Sequence, residues 1–270
     1  MLATYHNHTT WSDGKHSVAA LIGQAALHGI AELGIADHYV LPPKGKQPRW
    51  SMTHEELPRY VEEILSRVEG AASQGVTLRL GLEVDWFPGH AEAIEEALAL
   101  YPFDFLVGSV HQIDDFTIDS SSAPWKKCSP VQIDEVHRNY WVNIKSLAQS
   151  KLFDIVAHID LPKKFGYPPH HKPEAEIEAA LDAIAEAGSV VELNTAGWHK
   201  PCADAYPTLD ILKACHRRGI PTTLSADAHD AQHLVRDFDR GAQRLYEAGY
   251  REIARFAQRR RTLEPLTNPG

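Results

Sequence analysis

Short apolar runs alternate with longer stretches of helical spacing along most of the chain. Residues 2–5 are apolar or β-favouring and predict a first strand. Val18, Leu21, Ile22, Ala25 and Ala26 then recur at helical spacing, and Gly29 closes that helix. Further strands are predicted over 30–36, 76–83, 103–110, 153–157, 189–193 and 221–224, with a weak last one over 251–257. The intervening helices are predicted over 55–73, 90–99, 132–150, 173–187, 209–218 and 241–248. Residues 40–53, rich in Pro and Lys, form a long loop, and 112–130 form an irregular stretch of the kind that often serves as a lid or binding loop. Residues 262–270 are expected to be a loose tail. Apolar strands alternating with helices predict a parallel sheet covered by helices. Seven or so such units without a break in composition predict one closed α/β barrel spanning 1–270 rather than two domains.

The polar positions that interrupt this pattern fall at the strand ends. His6 and His8 lie two apart on a strand, so they point the same way. His38, Glu83, His111, His158, Asp227 and His229 close later strands. In a barrel the loops after the strands share one rim, which brings these side chains to one place. Imidazoles and carboxylates are ligands for zinc, iron or manganese alike. This set exceeds what one tetrahedral ion takes and suits two or three ions that share bridging carboxylates. Asp13, in the turn Ser12-Asp13-Gly14, is a further candidate ligand, and equally a candidate Asx-turn residue. His28, His54, His90, His137, His216 and His233 fall on helices or surface loops and are read as ordinary core or surface histidines.

Composition narrows the class. The chain has 270 residues, 43% hydrophobic and 23% charged, which suits a barrel of this kind. A net charge of −9 disfavours extended nucleic acid as a partner, and Arg259-Arg260-Arg261 is read as a solvated charge run. No leader pattern and no apolar run of membrane-spanning length stands out. Three cysteines, Cys128, Cys202 and Cys215, form no C-x-x-C pair, which fits a reducing cytoplasm. The expectation is a soluble cytoplasmic protein; its oligomeric state leaves no mark in the sequence.

Taken together, His6-x-His8-Thr9, Asp37-His38, Glu83, Gly108-Ser109-Val110-His111, His158 and Asp227-x-His229 resemble the polymerase and histidinol phosphatase (PHP) superfamily in motif order over nearly the whole chain. Pro102-Phe103-Asp104, the run from His158-Ile159-Asp160 to Lys163-Lys164-Phe165-Gly166, and Asn194-Thr195-Ala196-Gly197 are similar to its histidinol-phosphate phosphatase branch. The resemblance implies a distorted (β/α)7 TIM-like barrel with its active site at the C-terminal ends of the strands. It also implies three divalent ions of zinc, iron or manganese. By motif position His6, His8, Glu83 and Asp227 would hold the first ion. Glu83, His111 and His158 would hold the second, with Glu83 bridging. His38 and His229 would hold the third, with a residue of the Ser12-Asp13-Gly14 loop. Several family members carry a histidine in that loop, where this chain has Asp13, with His16 further on.

The activity implied is metal-dependent hydrolysis of L-histidinol phosphate, in histidine biosynthesis. A metal-bridging hydroxide is expected to attack phosphorus in line. Glu83 is expected to bridge, and Asp227 or His229 to manage protons. Basic residues of two loops contact phosphate in the family, which points to Lys163, Lys164 and Lys200, with His199 competing for the last role and Asn194 opening the same loop. Asp114, Asp115, Asp119, Trp50 and Trp198 are rim-loop candidates for the imidazole and ammonium of the substrate. The alternatives are a PHP-type phosphoesterase acting on another small phosphate or a nucleic-acid end, a non-enzymatic metal-binding barrel, and an amidohydrolase. The last usually has a metal-bridging lysine at a strand end, and none stands there in this chain.

Overall fold

The apolar runs become parallel staves, and the amphipathic stretches become the helices that cover them. The computed structural model describes residues 2–44 and 47–266. In order these form β1 (Leu2–Thr4), α1 (Val18–Leu27), β2 (Ile30–Ile35), β3 (His38–Tyr39), α2 (Leu57–Ala72), β4 (Thr77–Leu80), β5 (Glu83–Asp85), α3 (Ala91–Leu98) and β6 (Val107–Ser109). A hairpin of β7 (Gln112–Ile113) and β8 (Phe116–Thr117) precedes α4 (Pro130–Ser150) and β9 (Ile155–Val156). The second half comprises α5 (Glu174–Ala187), β10 (Val190–Asn194), α6 (Leu209–Arg217), β11 (Thr222–Ser225), α7 (Phe238–Ala248), β12 (Glu252–Ala257) and β13 (Arg260–Pro265).

Pairing runs around a ring. β1 pairs with β2, β2 with β4 and β3 with β5; then β5–β6, β6–β9, β9–β10 and β10–β11 follow, all parallel. β3 and β5 continue β2 and β4 beyond a kink, so the described chain has seven staves. The first and last meet at a bridge between Asn7 and Ala228. There the His8 amide donates to the Ala228 carbonyl at 2.9 Å, and the Ala228 amide to the His6 carbonyl at 3.2 Å. This is the α/β barrel that the alternation predicts.

The kink is the departure that matters most for the site. The predicted strand 76–83 is broken after Leu80, and residues 38–39, where the second strand was expected to close, form a strand of their own. At the break the Tyr60 hydroxyl, fully buried under α2, donates to the Gly81 carbonyl at 2.7 Å. The Phe105 ring fills the space beside the break: a Cβ on Gly81 would lie 2.1 Å from its Cζ, and one on Gly34 would lie 2.7 Å from it. Beyond the kink His38 stands in register with Glu83. The redirected strand ends therefore carry both side chains to the barrel mouth.

Below the kink the interior is aromatic. Tyr5 meets Phe105 and Phe256 edge-on, at 5.1 and 5.4 Å between ring centroids. Phe256 belongs to the antiparallel hairpin of β12 and β13, so the expectation of a loose tail is corrected over 262–265; residues 267–270 lie outside the described residues. The Arg triplet is exposed, as a solvated run would be, but it lies in the hairpin and not in a tail. Gln258 and Arg259 form the tight hairpin turn with left-handed backbones. The Arg259 guanidinium pairs with Asp154, and that of Arg261 donates to the Gly188 carbonyl at 2.7 Å. The hairpin thus caps the end of the barrel opposite the strand-end histidines.

Other differences are local. The stretch 112–130 contains the β7–β8 hairpin and a short 3-10 turn, because the Trp125 indole N–H reaches the Ile118 carbonyl at 2.8 Å and gathers the loop. α4 starts at Pro130 under a capping box of Ser129 and Gln132, and α7 starts earlier than expected, at Phe238.

Because Phe105 occupies the place a side chain would need, Gly81→Ala should destabilise the fold by about 1–3 kcal/mol. Urea unfolding of the variant checks this, and an unchanged midpoint would contradict the role given to the kink.

Candidate metal centre

The staves end in a cluster around one carboxylate. Glu83 is fully buried. Its Oε2 lies 2.6 Å from His38 Nδ1, 3.2 Å from His6 Nε2 and 3.6 Å from His8 Nε2. Its Oε1 lies 3.1 Å from His158 Nε2 and 3.6 Å from His111 Nε2. Asp227 Oδ1 is 3.3 Å from His8 Nε2, 3.5 Å from His229 Nδ1 and 3.8 Å from His6 Nε2. Asp13 Oδ1 lies 3.1 Å from His229 Nε2 and 3.7 Å from His38 Nε2. Every ligand candidate named from the sequence is therefore in one cluster.

These groups approach one another without satisfying one another. Among the described residues the buried atoms His6 Nε2, His8 Nδ1 and Nε2, His38 Nδ1, Glu83 Oε2 and His158 Nδ1 have no hydrogen-bond partner. Buried polar atoms are rarely left so, and such clustering is what cation ligands show. Four groups have donor atoms close enough to share an ion: His8, Asp13, His38 and His229; His6, His8 and Glu83; His6, His158 and Asp227; and His38, Glu83 and His111. The donor set of imidazole and carboxylate fits zinc, iron or manganese.

Backbone and outer contacts hold the cluster. Asp37, buried before His38, accepts from the Thr9 amide and hydroxyl, both at 2.7 Å, and from the Ser12 hydroxyl at 2.6 Å. That clamp fixes the turn carrying Asp13. Asp227 and His158 sit at left-handed backbone positions, with φ of 50° and 21°, an uncommon geometry that concentrates at functional sites. Asp85 Oδ1 accepts from His111 Nδ1 at 2.6 Å, and Glu192 accepts from His6 Nδ1 at 3.0 Å. The sequence reading missed both carboxylates. Their only signal is a two-residue offset from a named strand-end residue, Asp85 from Glu83 and Glu192 from Asn194.

The cluster opens into a cavity of about 590 Å³. Lys164, Lys200, Arg236, Trp50 and Asp119 line it together with His38, His111, His158, Asp227, His229 and Asp13. Lys163 is not among the lining residues. It is tied to Asp160 at 3.0 Å, Asp204 at 3.3 Å and the Ala205 carbonyl at 2.6 Å. His199 also stands away from the cavity, bonded to Asp237 at 2.5 Å. Asn194 lies behind the site, donating to Glu192 at 2.9 Å and to Asp227 at 3.3 Å. Trp198 is covered by Arg240, 4.0 Å above its ring, and Asp114 and Asp115 form the exposed turn of the β7–β8 hairpin. Arg236, which the sequence reading did not single out, has a buried Nε without a hydrogen-bond partner.

Charge in the cluster is matched by protons. Burial opposes ionising Glu83, yet His38, His6 and His111 hold its carboxyl well below the usual range. Burial likewise opposes a charge on His111, but Asp85 and Glu83 outweigh it and raise the imidazole to about 10. His229 is raised to about 9 against burial, by Asp13 and Asp227. His8, by contrast, is pushed down to about 3 by burial and by the neighbouring His229 and His38. A divalent cation would neutralise the same carboxylates and displace those protons.

Fold and cluster define the class: residues 4–196 match the PHP domain family, and the chain belongs to it. Within that family it falls in the histidinol-phosphatase branch. Over 254 residues it is 34% identical to a protein of Deinococcus radiodurans named probable histidinol-phosphatase, covering 93% of this chain and 95% of that one. It is 23% identical to the histidinol-phosphatase of Lactococcus lactis over 261 residues, covering 94% and 93%. The crystal structure of the Lactococcus lactis histidinol phosphate phosphatase, complexed with zinc, L-histidinol and phosphate, shares the fold with a TM-score of 0.81 at 21% identity, over 97% of this chain and 98% of that one. No helix among the described residues is long and apolar enough to cross a membrane.

The raised histidines give a pH signature. An imidazole at 6.5 in the unfolded chain and about 9 or 10 in the fold binds its proton only in the folded state between those values. The stability it contributes is complete below 6.5 and is lost as pH rises through 9 to 10. Chelator-treated protein should therefore show a melting temperature that falls across this window, and zinc-loaded protein should not. Parallel melting curves with and without chelator test it.

Proposed function

We propose that this chain is a metal-dependent phosphomonoesterase that hydrolyses L-histidinol phosphate to L-histidinol and phosphate. One observation carries the reading: Lys164, Lys200 and Arg236 face the same cavity as the imidazole–carboxylate cluster. A phosphate monoester needs cations on its oxygens and a water activated beside it. The relatives named histidinol-phosphatase match over nearly their whole length, which supports the choice of substrate. We read residues 1–270 as one PHP barrel domain, working in a reducing cytoplasm that suits its free cysteines.

His6, His8, Glu83 and Asp227 would hold a first ion, Glu83, His111 and His158 a second, and Asp13, His38 and His229 a third. The zinc of the Lactococcus lactis structure makes zinc the first choice, while iron and manganese suit the same donors. Bound there, divalent ions would lower the pKa of a water and neutralise the phosphoryl oxygens. The residues of the chain do the rest. Lys164 and Arg236 bind the phosphate oxygens, and Lys200 adds a third cation. Burial and the nearby Lys164 hold the Lys200 ammonium below its usual range, and an arriving phosphate dianion would relieve that strain. The Asp227 carbonyl accepts from His229 Nδ1 at 3.1 Å, which leaves Nε2 as the nitrogen that would face the third ion. Asp119, which pairs with Lys164 at 3.1 Å, and Trp50 line the same cavity and are the groups to meet the cationic organic half of the substrate.

The decisive experiment offers zinc-loaded protein histidinol phosphate, a nucleoside monophosphate and single-stranded DNA, and follows phosphate release. Histidinol phosphate should be strongly preferred; equal turnover of the nucleotide would defeat the substrate assignment. Glu83→Ala should lose both metal and turnover, measured by elemental analysis beside the assay. Lys164→Ala and Arg236→Ala should each lower kcat/KM about 10-fold or more with metal retained, the loss of one charge-assisted bond. Lys163→Ala should stay near wild type, since that lysine is tied away from the cavity.

A further inference from the structure

Glu192 is an ionisable side chain in the middle of a wholly buried strand, β10. Burying a carboxylate is costly, by several kcal/mol per ion, unless its oxygens are fully engaged. Here they are. Oε1 accepts from the His158 amide at 2.7 Å and from Asn194 Nδ2 at 2.9 Å. Oε2 accepts from the Ser225 hydroxyl at 2.6 Å and from His6 Nδ1 at 3.0 Å. These donors come from β1, β9, β10 and β11 or the residues directly after them.

Three of the links end on ligand candidates. The bond to His6 Nδ1 fixes the tautomer that leaves Nε2 facing Glu83 and Asp227. The bond to the His158 amide pins the left-handed residue whose ring reaches Glu83. The third runs through Asn194, whose amide also donates to Asp227 Oδ2 at 3.3 Å. The location adds weight. Among the described residues the first and last staves are joined by the Asn7–Ala228 bridge, and Glu192 reaches past Ser225 on the last stave to His6 after the first.

We propose that Glu192 is a positioning residue of the metal cluster: one carboxylate sets the orientation of His6 and, through Asn194, Asp227 of the first ion, and the backbone of His158 of the second, so that ligands from three staves converge. The proposal rests on the metal reading above and adds a residue that touches neither ion nor substrate. A neutral glutamine at the same place accepts through one oxygen only, and its amide group would face the donors of Ser225 and His6.

The test is zinc affinity at 25 °C, on chelator-stripped protein titrated against a competing dye. Glu192→Gln should bind its tightest zinc about 10–100-fold more weakly, the usual effect of losing a carboxylate behind a ligating histidine. In the zinc-loaded wild type, nitrogen-15 NMR should show His6 protonated at Nδ1, and Glu192→Gln should lose that signature. Ser225→Ala disturbs the same buried network but spares the His6 bond, so it should keep zinc affinity within about threefold while lowering the melting temperature. If Glu192→Gln does not fold, Glu192→Asp, which keeps the charge and withdraws it from His6, should show the same loss. Wild-type affinity in the folded Gln or Asp variant overturns the proposal. Absence of zinc uptake by the wild type overturns the metal reading instead.

Discussion

A single buried carboxylate, Glu83, faces five imidazoles, and that arrangement dictates the rest of the barrel mouth. The low dielectric of the interior makes an uncompensated charge there very costly. Glu83 is tolerated because His6, His8, His38, His111 and His158 stand within 3.6 Å of its two oxygens. Each of those imidazoles needs a fixed orientation in turn. The demand passes outward, to Glu192 behind His6, to Asp85 behind His111 and to Asp37 beneath the turn that carries Asp13. The polar network is built from the centre, and its cost is met by packing elsewhere.

That packing lies one layer down. Tyr5, Phe105 and Phe256 fill the barrel under the cluster, and the β12–β13 hairpin closes its far end. The glycines at 34 and 81 exist to admit the Phe105 ring, and the same ring sits beside the break between β4 and β5. The aromatic plug and the kink are thus one device. A rigid floor is what lets strand ends hold side chains to within the few tenths of an ångström that metal ligation demands.

The sequence exposed the ring of staves through its alternation, and the cluster through the residues that close each strand. It hid what depends on distant partners. Gly81 in an apolar run reads as ordinary strand; the break appears only when Phe105 and Tyr60 arrive from elsewhere in the chain. The Arg triplet reads as part of a tail because nothing nearby in sequence shows Asp154 or the Gly188 carbonyl waiting for it. Glu192 sits inside a run of buried residues, where a lone carboxylate gives no local hint of the four donors around it. Lys163 and Lys164 are neighbours on a short 3-10 turn, and their roles divide by the direction each side chain takes: one is bound by Asp160 and Asp204, the other reaches the cavity and Asp119 at 3.1 Å. Spacing alone does not separate them. Arg236 lies between elements, where no periodicity applies.

The cavity wall carries charges of both signs. Lys164, Lys200 and Arg236 come from the loops after β9, β10 and β11, while Trp50 and Asp119 come from the loops after β3 and β6. Asp119 is held ionised against burial by His111 and Lys164. Lys164 and Asp119 meet at 3.1 Å, so the two signs lie side by side and a ligand that carries both can engage them together.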